Sequence, residues 1–190
     1  MGDRVLHVGA GSGYYSAVLA ELTGPQGRVD AFEIHPELAE RARTNLSPWA
    51  QATLHERSGS VGEIPQADAI YVNAGCTHPS ASWLRRLAPG GRLMLPLQPA
   101  HGLGAMLLIS RPKHLAERWP ARFVTRAIFV GCEGLQDEAA ERRLAASFAD
   151  RHWMKVRSLR FDEIDPAECW LPGDGWWLST ASPERRPESP

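Results

Sequence analysis

The chain has 190 residues, the size of one domain that can bury a substantial core. Its 21 Lys and Arg residues balance 22 Asp and Glu residues, so no basic excess indicates a nucleic acid or an anionic membrane as partner. The apolar stretches are short and interrupted, which predicts no transmembrane helix. A strand is predicted directly after the first residues, so we expect no signal peptide. The three cysteines form no C-x-x-C pair, which favours a reducing, cytoplasmic setting, and the scattered histidines predict no metal site.

Strand-like and helix-like segments alternate over the first half of the chain. The predicted strands are 4–8, 28–33, 52–56, 67–73 and 92–97, and the predicted helices are 15–22, 36–46 and 81–87. This alternation is typical of an α/β fold in which helices cover both faces of a doubly wound parallel sheet. Right-handed crossovers are then expected.

The pattern changes after residue 99. Two longer strands, 104–110 and 122–130, are separated by a short break, which predicts an antiparallel pair at one sheet edge. A helix over 138–156, a strand over 157–161 and a hairpin of 169–171 with 176–178 follow. The tryptophans beside the hairpin turn are expected to pack on the sheet or the helix rather than to form a substrate wall. We therefore divide the chain into a core (1–135), an extension packed on it (136–181) and a frayed tail (182–190).

The first strand ends in glycines at alternate positions, Gly9, Gly11 and Gly13, and a helix follows. Such a turn lets a ligand lie against bare backbone at a helix N-terminus. The dinucleotide pattern G-x-G-x-x-G would need glycine where Tyr14 stands, and no Gly-Lys-Ser/Thr follows for a P-loop. The spacing G-x-G-x-G instead resembles that of S-adenosylmethionine-dependent methyltransferases.

Glu33 ends the second predicted strand, 20 residues after Gly13. A carboxylate at this place can accept hydrogen bonds from the hydroxyl groups of a ribose. The alternative role for Glu33 is to face the dipole of the helix that begins at Pro36. Together with the glycine turn, the first role is favoured and indicates a ribose-bearing ligand.

Four blocks of sequence together resemble the protein-L-isoaspartate O-methyltransferase family, over about residues 3–135. They are V-L-H-V-G-A-G-S-G-Y-Y-S-A-V-L-A (5–20), E-I-H-P-E-L-A-E-R-A-R-T-N-L (33–46), D-A-I-Y-V-N-A (68–74) and L-A-P-G-G-R-L-M-L-P-L (87–97), with R-F-V at 122–124 resembling the family's late strand. The first and fourth blocks are common among methyltransferases. The combination of G-S-G-Y with L-P-L is more specific to this family.

The resemblance implies a class I methyltransferase fold: a Rossmann-like, doubly wound, mostly parallel sheet with an antiparallel pair at one edge. It implies S-adenosyl-L-methionine as cofactor, and a repair activity that methylates isoaspartyl carboxylates of proteins or peptides, or a related small-molecule acceptor. Neither nucleic acid nor membrane is implied, and the oligomeric state is not indicated. The implied cofactor residues are Gly9, Ala10, Gly11, Ser12, Gly13, Tyr14, Glu33, Ile34, Ser58 and Gly59, with Asn73 and Ala74 beside the transferred methyl group.

The chain departs from the family's pattern in three places. The family carries a longer segment before the first strand, with helices and a Ser/Thr-containing loop that covers the cofactor. His7 stands where the family has an acid, and Ser58 stands where it has an acid that binds the adenine amino group. These departures leave open a second hypothesis, a cofactor-binding domain without catalysis. A nicotinamide-dependent oxidoreductase is disfavoured by Tyr14 and by the absence of a Tyr-x-x-x-Lys pair.

No catalytic residue is assigned from the sequence. Methyl transfer from a sulfonium to a carboxylate requires alignment and desolvation more than acid–base help. Thr77 and His78 follow the fourth strand, where ligands of open α/β sheets bind. We expect them to form an ordinary exposed loop, with contact to the methyl acceptor as the alternative.

Overall fold

The computed structural model describes residues 2–100, 102–150 and 152–184. Within these residues, ten strands form one mixed sheet in the order β3-β2-β1-β4-β5-β6-β7-β8-β10-β9. Only residues 182–184 of the predicted frayed tail are described, so the prediction for 185–190 lies outside the described residues.

The parallel half of the sheet confirms the predicted α/β alternation. It contains β1 (Arg4–Val8), β2 (Arg28–Glu33), β3 (Ala52–Glu56), β4 (Ala67–Val72) and β5 (Leu87–Leu97), with α1 (Tyr14–Thr23), α2 (Pro36–Asn45) and α3 (Ala81–Arg86) between them. After the first residue, every residue of β1 and of β2 is buried, as expected for strands covered on both faces. Strand β5 begins at Leu87 rather than at residue 92, because Gly90 and Gly91 pair with the backbone of Arg111.

The predicted antiparallel pair is confirmed as β6 (Gly104–Ser110) and β7 (Arg118–Ala127). It does not end the sheet, because β8 (Ser158–Arg160), β10 (Trp177–Ser179) and β9 (Cys169–Pro172) continue it. Strand β7 begins four residues earlier than predicted, since Arg118–Pro120 pair with β8. It ends at Ala127 rather than at residue 130, which frees the next segment to cross to the end of β4.

Helix α4 (Glu138–Ala149) is shorter than the predicted helix 138–156. The chain turns and continues as a short 3-10 segment, His152–Lys155, because Trp153 must reach Phe123, with ring centroids 5.6 Å apart. The predicted packing of the tryptophans is confirmed, since Trp170, Trp176 and Trp177 are all buried. None of the described helices is long and apolar enough to cross a membrane.

Candidate functional site

The turn between β1 and α1 requires its glycines. Gly9, Gly11 and Gly13 have φ angles of +77°, +58° and +93°, a region that other residues enter only with strain. A Cβ on Gly9 would lie 3.2 Å from the Asn73 carbonyl oxygen, and one on Gly13 would lie 3.2 Å from the Cα of Ala42. The turn is therefore packed tightly between the end of β4 and helix α2.

Four backbone N–H groups of this turn, those of Gly9, Ala10, Gly11 and Gly13, already have acceptors within the protein. The N–H groups of Gly9 and Ala10 both donate to the Phe32 carbonyl oxygen at 3.0 Å, and that of Gly13 donates to the Ala10 carbonyl oxygen at 3.0 Å. The Gly11 N–H donates to Glu33 Oε2 at 2.7 Å. A phosphate group could bind at these four N–H groups only by displacing their acceptors.

The Glu33 side chain is a fixed part of the site. Its other oxygen, Oε1, accepts hydrogen bonds from the backbone N–H groups of Ile34 at 2.9 Å and His35 at 3.0 Å. The residue is only 5% exposed, so the carboxyl group is held in one position by the backbone. Each carboxylate oxygen can accept about two hydrogen bonds, which leaves Oε2 with capacity for a donor from a ligand.

A cavity of about 280 Å³ lies at the carboxyl ends of β1, β2 and β4. This volume is just below the range of ~300–1,000 Å³ that is typical of small-molecule sites. It brings together eight of the twelve predicted cofactor residues: Gly9, Gly11, Glu33, Ile34, Ser58, Gly59, Asn73 and Ala74. The carboxyl-end position is the one expected for ligands of open α/β sheets.

The structure places the other predicted residues outside the cavity lining. Ala10 is buried in the cluster between the sheet and α2, and the Ser12 carbonyl oxygen accepts a hydrogen bond from Asn45 Nδ2 at 2.9 Å. Gly13 packs on α2, and Tyr14 is 70% exposed. These four residues shape the turn, and ligand contact by their side chains stays a prediction.

One wall of the cavity was not predicted. It is formed by Val130, Gly131, Cys132 and Glu133, which follow β7. Gly75 holds this segment, since its N–H donates to the Val130 carbonyl oxygen at 2.8 Å and its carbonyl oxygen accepts from the Cys132 N–H at 2.7 Å. The Gly-Cys-Glu-Gly run at 131–134 indicates irregular backbone, but no sequence signal shows which strand it meets. Further unpredicted lining residues are Val8, Phe32, His35, Leu38, Arg57 and Ser60.

The loop at Ser58 to Ser60 is anchored by α3. Trp83 Nε1 donates to the Gly59 carbonyl oxygen at 2.7 Å, and Ser80 Oγ donates to the Ser60 carbonyl oxygen at 2.9 Å. Ser60 Oγ donates to the Glu133 carbonyl oxygen at 2.8 Å, so in the 2.8 Å contact between the two serine hydroxyl groups Ser58 is the donor. Ser58 Oγ also accepts from the Ser60 N–H, which leaves it one lone pair for a ligand donor.

His7 lies behind the cavity rather than in its lining. It is fully buried, with Nδ1 2.7 Å from Ser16 Oγ and Nε2 3.0 Å from Asn73 Nδ2. Burial lowers the pKa of His7 from 6.5 to about 4, so the ring is neutral at pH 7. Its Nε2 therefore accepts from the Asn73 amide, and the residue supplies no charge in place of the family's acid.

The prediction of an exposed loop at Thr77 and His78 is wrong. Thr77 is 1% exposed and its Oγ1 donates to the Leu135 carbonyl oxygen at 3.0 Å, because α4 and the chain before it pack over this loop. His78 is half-buried, and burial lowers its pKa. It faces a second cavity of about 610 Å³ between α3, α4 and the β9–β10 turn, and does not line the first.

A comparison with known protein families shows to which family the chain belongs. The family model of protein-L-isoaspartate(D-aspartate) O-methyltransferase matches residues 1–132. The chain belongs to this family. Its resemblance to the family, based on the glycine turn and the three later blocks, is thereby confirmed.

Individual relatives agree with this assignment. The protein-L-isoaspartate O-methyltransferase of Ignicoccus hospitalis is 43% identical over 105 residues, which are 53% of this chain and 50% of that protein. The enzyme of the same name from Methylorubrum populi is 39% identical over 139 residues, 70% of this chain and 64% of that protein. The chain spans about half the length of the first of these curated relatives.

Solved structures agree on the fold. A protein-L-isoaspartate O-methyltransferase structure superposes with a TM-score of 0.65 at 24% identity, covering 75% of this chain and 45% of that one. A second, from Plasmodium falciparum and in complex with S-adenosyl-L-homocysteine, gives a TM-score of 0.60 at 18% identity, covering 70% of this chain and 66% of that one. The protein therefore has the Rossmann-like fold of class I methyltransferases.

Proposed function

We propose that this protein binds S-adenosyl-L-methionine and transfers its methyl group to the carboxylate of an isoaspartyl residue in a protein or peptide. The observation that carries the proposal is the position of Glu33. Its Oε2 atom accepts a hydrogen bond from the Gly11 N–H in the glycine turn. The same oxygen can accept one more hydrogen bond from a ligand in the cavity that Glu33 lines. Family membership supports the same conclusion.

The position of Glu33 favours S-adenosylmethionine over a nicotinamide dinucleotide. A dinucleotide places its pyrophosphate on the N–H groups of the glycine turn, where the helix dipole favours negative charge. Here the N–H groups of Gly9, Ala10, Gly11 and Gly13 have acceptors within the protein, and the acceptor at Gly11 is the Glu33 carboxyl group, which would repel a phosphate bound beside it. S-adenosylmethionine has no phosphate, and its sulfonium and ammonium groups outweigh its single carboxylate, so as a net cation it is repelled less by Glu33.

The residues of the cavity fit the parts of this cofactor. Glu33 Oε2 would accept a hydrogen bond from a ribose hydroxyl, and the apolar side chains of Ile34 and Leu38 would contact the adenine. The remaining lone pair of Ser58 Oγ would accept from the adenine amino group. Gly9, Asn73 and Ala74 line one part of the cavity, where the amino-acid end would lie.

The proposed methyl transfer needs no acid or base from the protein's side chains. The bound cofactor supplies an electrophilic methyl group on its sulfonium, and an isoaspartyl carboxylate is already an anionic nucleophile at neutral pH. The site must align the acceptor with the methyl group and exclude water from both. His7 is neutral and lies behind the wall, so the proposed reaction uses no general base from this position.

The transfer itself is tested with a matched pair of peptides. Radiolabelled S-adenosylmethionine is incubated with the protein and a peptide that contains either isoaspartate or aspartate at the same place. We expect base-labile label, typical of a methyl ester, on the isoaspartyl peptide alone.

Two outcomes would contradict the proposal. If S-adenosylhomocysteine binds but neither peptide is labelled, the chain is a cofactor-binding domain whose acceptor is different or absent. If neither binding nor transfer is detected, the assignment of the cofactor is wrong.

A further inference from the structure

Two cysteines meet where the unpredicted wall of the cofactor cavity joins β4. Gly75 and Gly131 form a parallel bridge, held by the hydrogen bonds of Gly75 to Val130 and Cys132. Cys76 and Cys132 are the next residues on the two segments. Neighbouring residues of a parallel pair carry their side chains on the same face, so the two thiols lie side by side.

The spacing suits a disulfide bond. Paired strands lie about 4.8 Å apart, and disulfide-bonded cysteines have Cα atoms about 4.4–6.8 Å apart. The Cys76 thiol donates to the Ala74 carbonyl oxygen at 3.2 Å, and the Cys132 thiol to the Glu133 carbonyl oxygen at 3.9 Å. Formation of the bond would require small shifts of two segments that are already hydrogen-bonded to each other.

Access to this pair runs through the cavity. Cys132 lines the cavity, whereas Cys76 is 0% exposed and does not. The remaining cysteine, Cys169, lies half-buried on β9, far along the sheet from this site. Cys132 is itself only 4% exposed, so the cavity is the route by which we infer that a small reagent enters, and a ligand that fills the cavity would block it.

The two thiols are not equivalent. The neighbouring Cys76 thiol lowers the pKa of Cys132, and burial opposes this effect. The same interaction, together with burial, raises the pKa of Cys76. Because Cys132 lines the cavity and Cys76 does not, and because the thiolate is the reactive form, we assign Cys132 as the attacking residue and Cys76 as the resolving one.

We propose that Cys76 and Cys132 are an oxidative modification site in the wall of the cofactor cavity, where a small hydroperoxide converts them to a disulfide. The further claim that bound cofactor shields the pair rests on the proposed function. The Cys132 thiolate attacks the peroxide and becomes a sulfenic acid, with release of one water or alcohol molecule. The Cys76 sulfur then attacks the Cys132 sulfur and displaces water. Two thiols lose two electrons and two protons, and the peroxide is reduced.

The experiment exposes the full chain to hydrogen peroxide and follows the intact mass and the peptide map. We expect a species lighter by two hydrogen atoms, with the disulfide joining Cys76 to Cys132. Cys132→Ser and Cys76→Ser should abolish this species. Cys169→Ser is the matched control and should behave like the wild-type chain.

Protection is measured with S-adenosylhomocysteine, whose affinity for the reduced protein is first determined by calorimetry. At ten times its dissociation constant only about a tenth of the protein is free, so the disulfide should form about tenfold more slowly. An unchanged rate at this occupancy would overturn the shielding claim.

Other results overturn the remaining claims separately. Free thiols at both positions, after an exposure that fully oxidises a reference dithiol, would overturn the modification site, as would a disulfide to Cys169. A reduced protein that does not bind S-adenosylhomocysteine would overturn the proposed function. In that case the loss of two hydrogen atoms would still show whether Cys76 and Cys132 form a disulfide.

Discussion

Glu33 connects the glycine turn to the end of β2 through three backbone hydrogen bonds, from Gly11, Ile34 and His35. This arrangement makes the residue both a structural clamp and the proposed ribose acceptor. The two roles can be separated by measurement. Loss of the clamp lowers the stability of the folded chain, whereas loss of the ribose acceptor lowers the affinity for the ligand.

Glu33→Gln is expected to weaken both roles. The amide group presents an N–H to backbone N–H donors or to the ribose, and hydrogen bonds to charged groups are worth about 1.5–3 kcal/mol. We expect S-adenosylhomocysteine affinity to fall about 10- to 100-fold in calorimetry. Glu138→Gln, on the exposed surface of α4, is the control and should leave affinity unchanged. Equal affinities of Glu33→Gln and wild type would contradict the role of Glu33.

His7 makes stability depend on pH. Its pKa is about 4 in the folded chain against 6.5 unfolded, so between these values the unfolded state binds more protons. Stability therefore falls as pH drops from 6.5 towards 4, by about 3 kcal/mol in total. Urea unfolding should show that His7→Gln lacks this part of the pH dependence. His114→Gln, at an exposed position, should keep it, and an equal pH dependence in both variants would contradict the account.

At the residue scale, the sequence predicted what is local. Gly9, Gly11 and Glu33 are found in the cavity because a strand–turn–helix unit has one geometry. The partner of His7 could not be predicted, since Asn73 is 66 positions away and meets it only through the pairing of β1 with β4. The cavity wall at Cys132 was missed for the same reason.

At the scale of elements, the turn after β1 is defined by its contact with β4. Gly9 and Gly62 have similar φ angles, +77° and +80°, but a Cβ atom would meet neighbours within 4 Å only at Gly9, with the Asn73 carbonyl oxygen closest. The two positions therefore separate backbone strain from steric contact.

Gly9→Ala should cost more than Gly62→Ala. Both substitutions place a non-glycine residue in the left-handed region, at about 1–2 kcal/mol. Gly9→Ala also pushes on the Asn73 carbonyl at the cavity, so it should lower stability further and weaken S-adenosylhomocysteine binding. Urea unfolding and calorimetry measure the two effects. Equal losses of stability and affinity in both variants would contradict a specific contact between the turn and β4.

The element boundaries that sequence did not predict depend on distant partners. The first residues of β7 are strand only because β8 lies beside them, and α4 ends early so that Trp153 can pack on Phe123. Local propensity favoured a longer helix, and tertiary packing overrode it. The parallel strands were predicted well, since burial on both faces leaves a continuous apolar run in the sequence.

At the scale of the whole molecule, the sheet runs without a break from β3 to β9. Arg160 on β8 reinforces the far end, with Nε and Nη1 bound to Asp162 and Glu168 at 2.9 and 3.0 Å. Arg118 on β7 also binds Asp162 at 2.9 Å, and these guanidinium groups, with that of Arg160 foremost, lower the Asp162 pKa to about 2.

This continuity predicts one cooperative unfolding transition. The residues after 136 contribute strands to the same sheet as the glycine turn, so neither part keeps its edge pairing without the other. Far-UV circular dichroism and tryptophan fluorescence should give coincident urea transitions. Two separate transitions would show that the C-terminal residues fold independently of the core.

The central claim is that the cavity beside Glu33 takes S-adenosylmethionine and not a phosphate-bearing dinucleotide. Its most direct test is calorimetric titration of the chain with S-adenosylhomocysteine and, in parallel, with NADH. We expect saturable binding of S-adenosylhomocysteine at one site and no binding of NADH at the same concentration. Binding of NADH alone, or no heat and no thermal shift with S-adenosylhomocysteine at millimolar concentration, would contradict it.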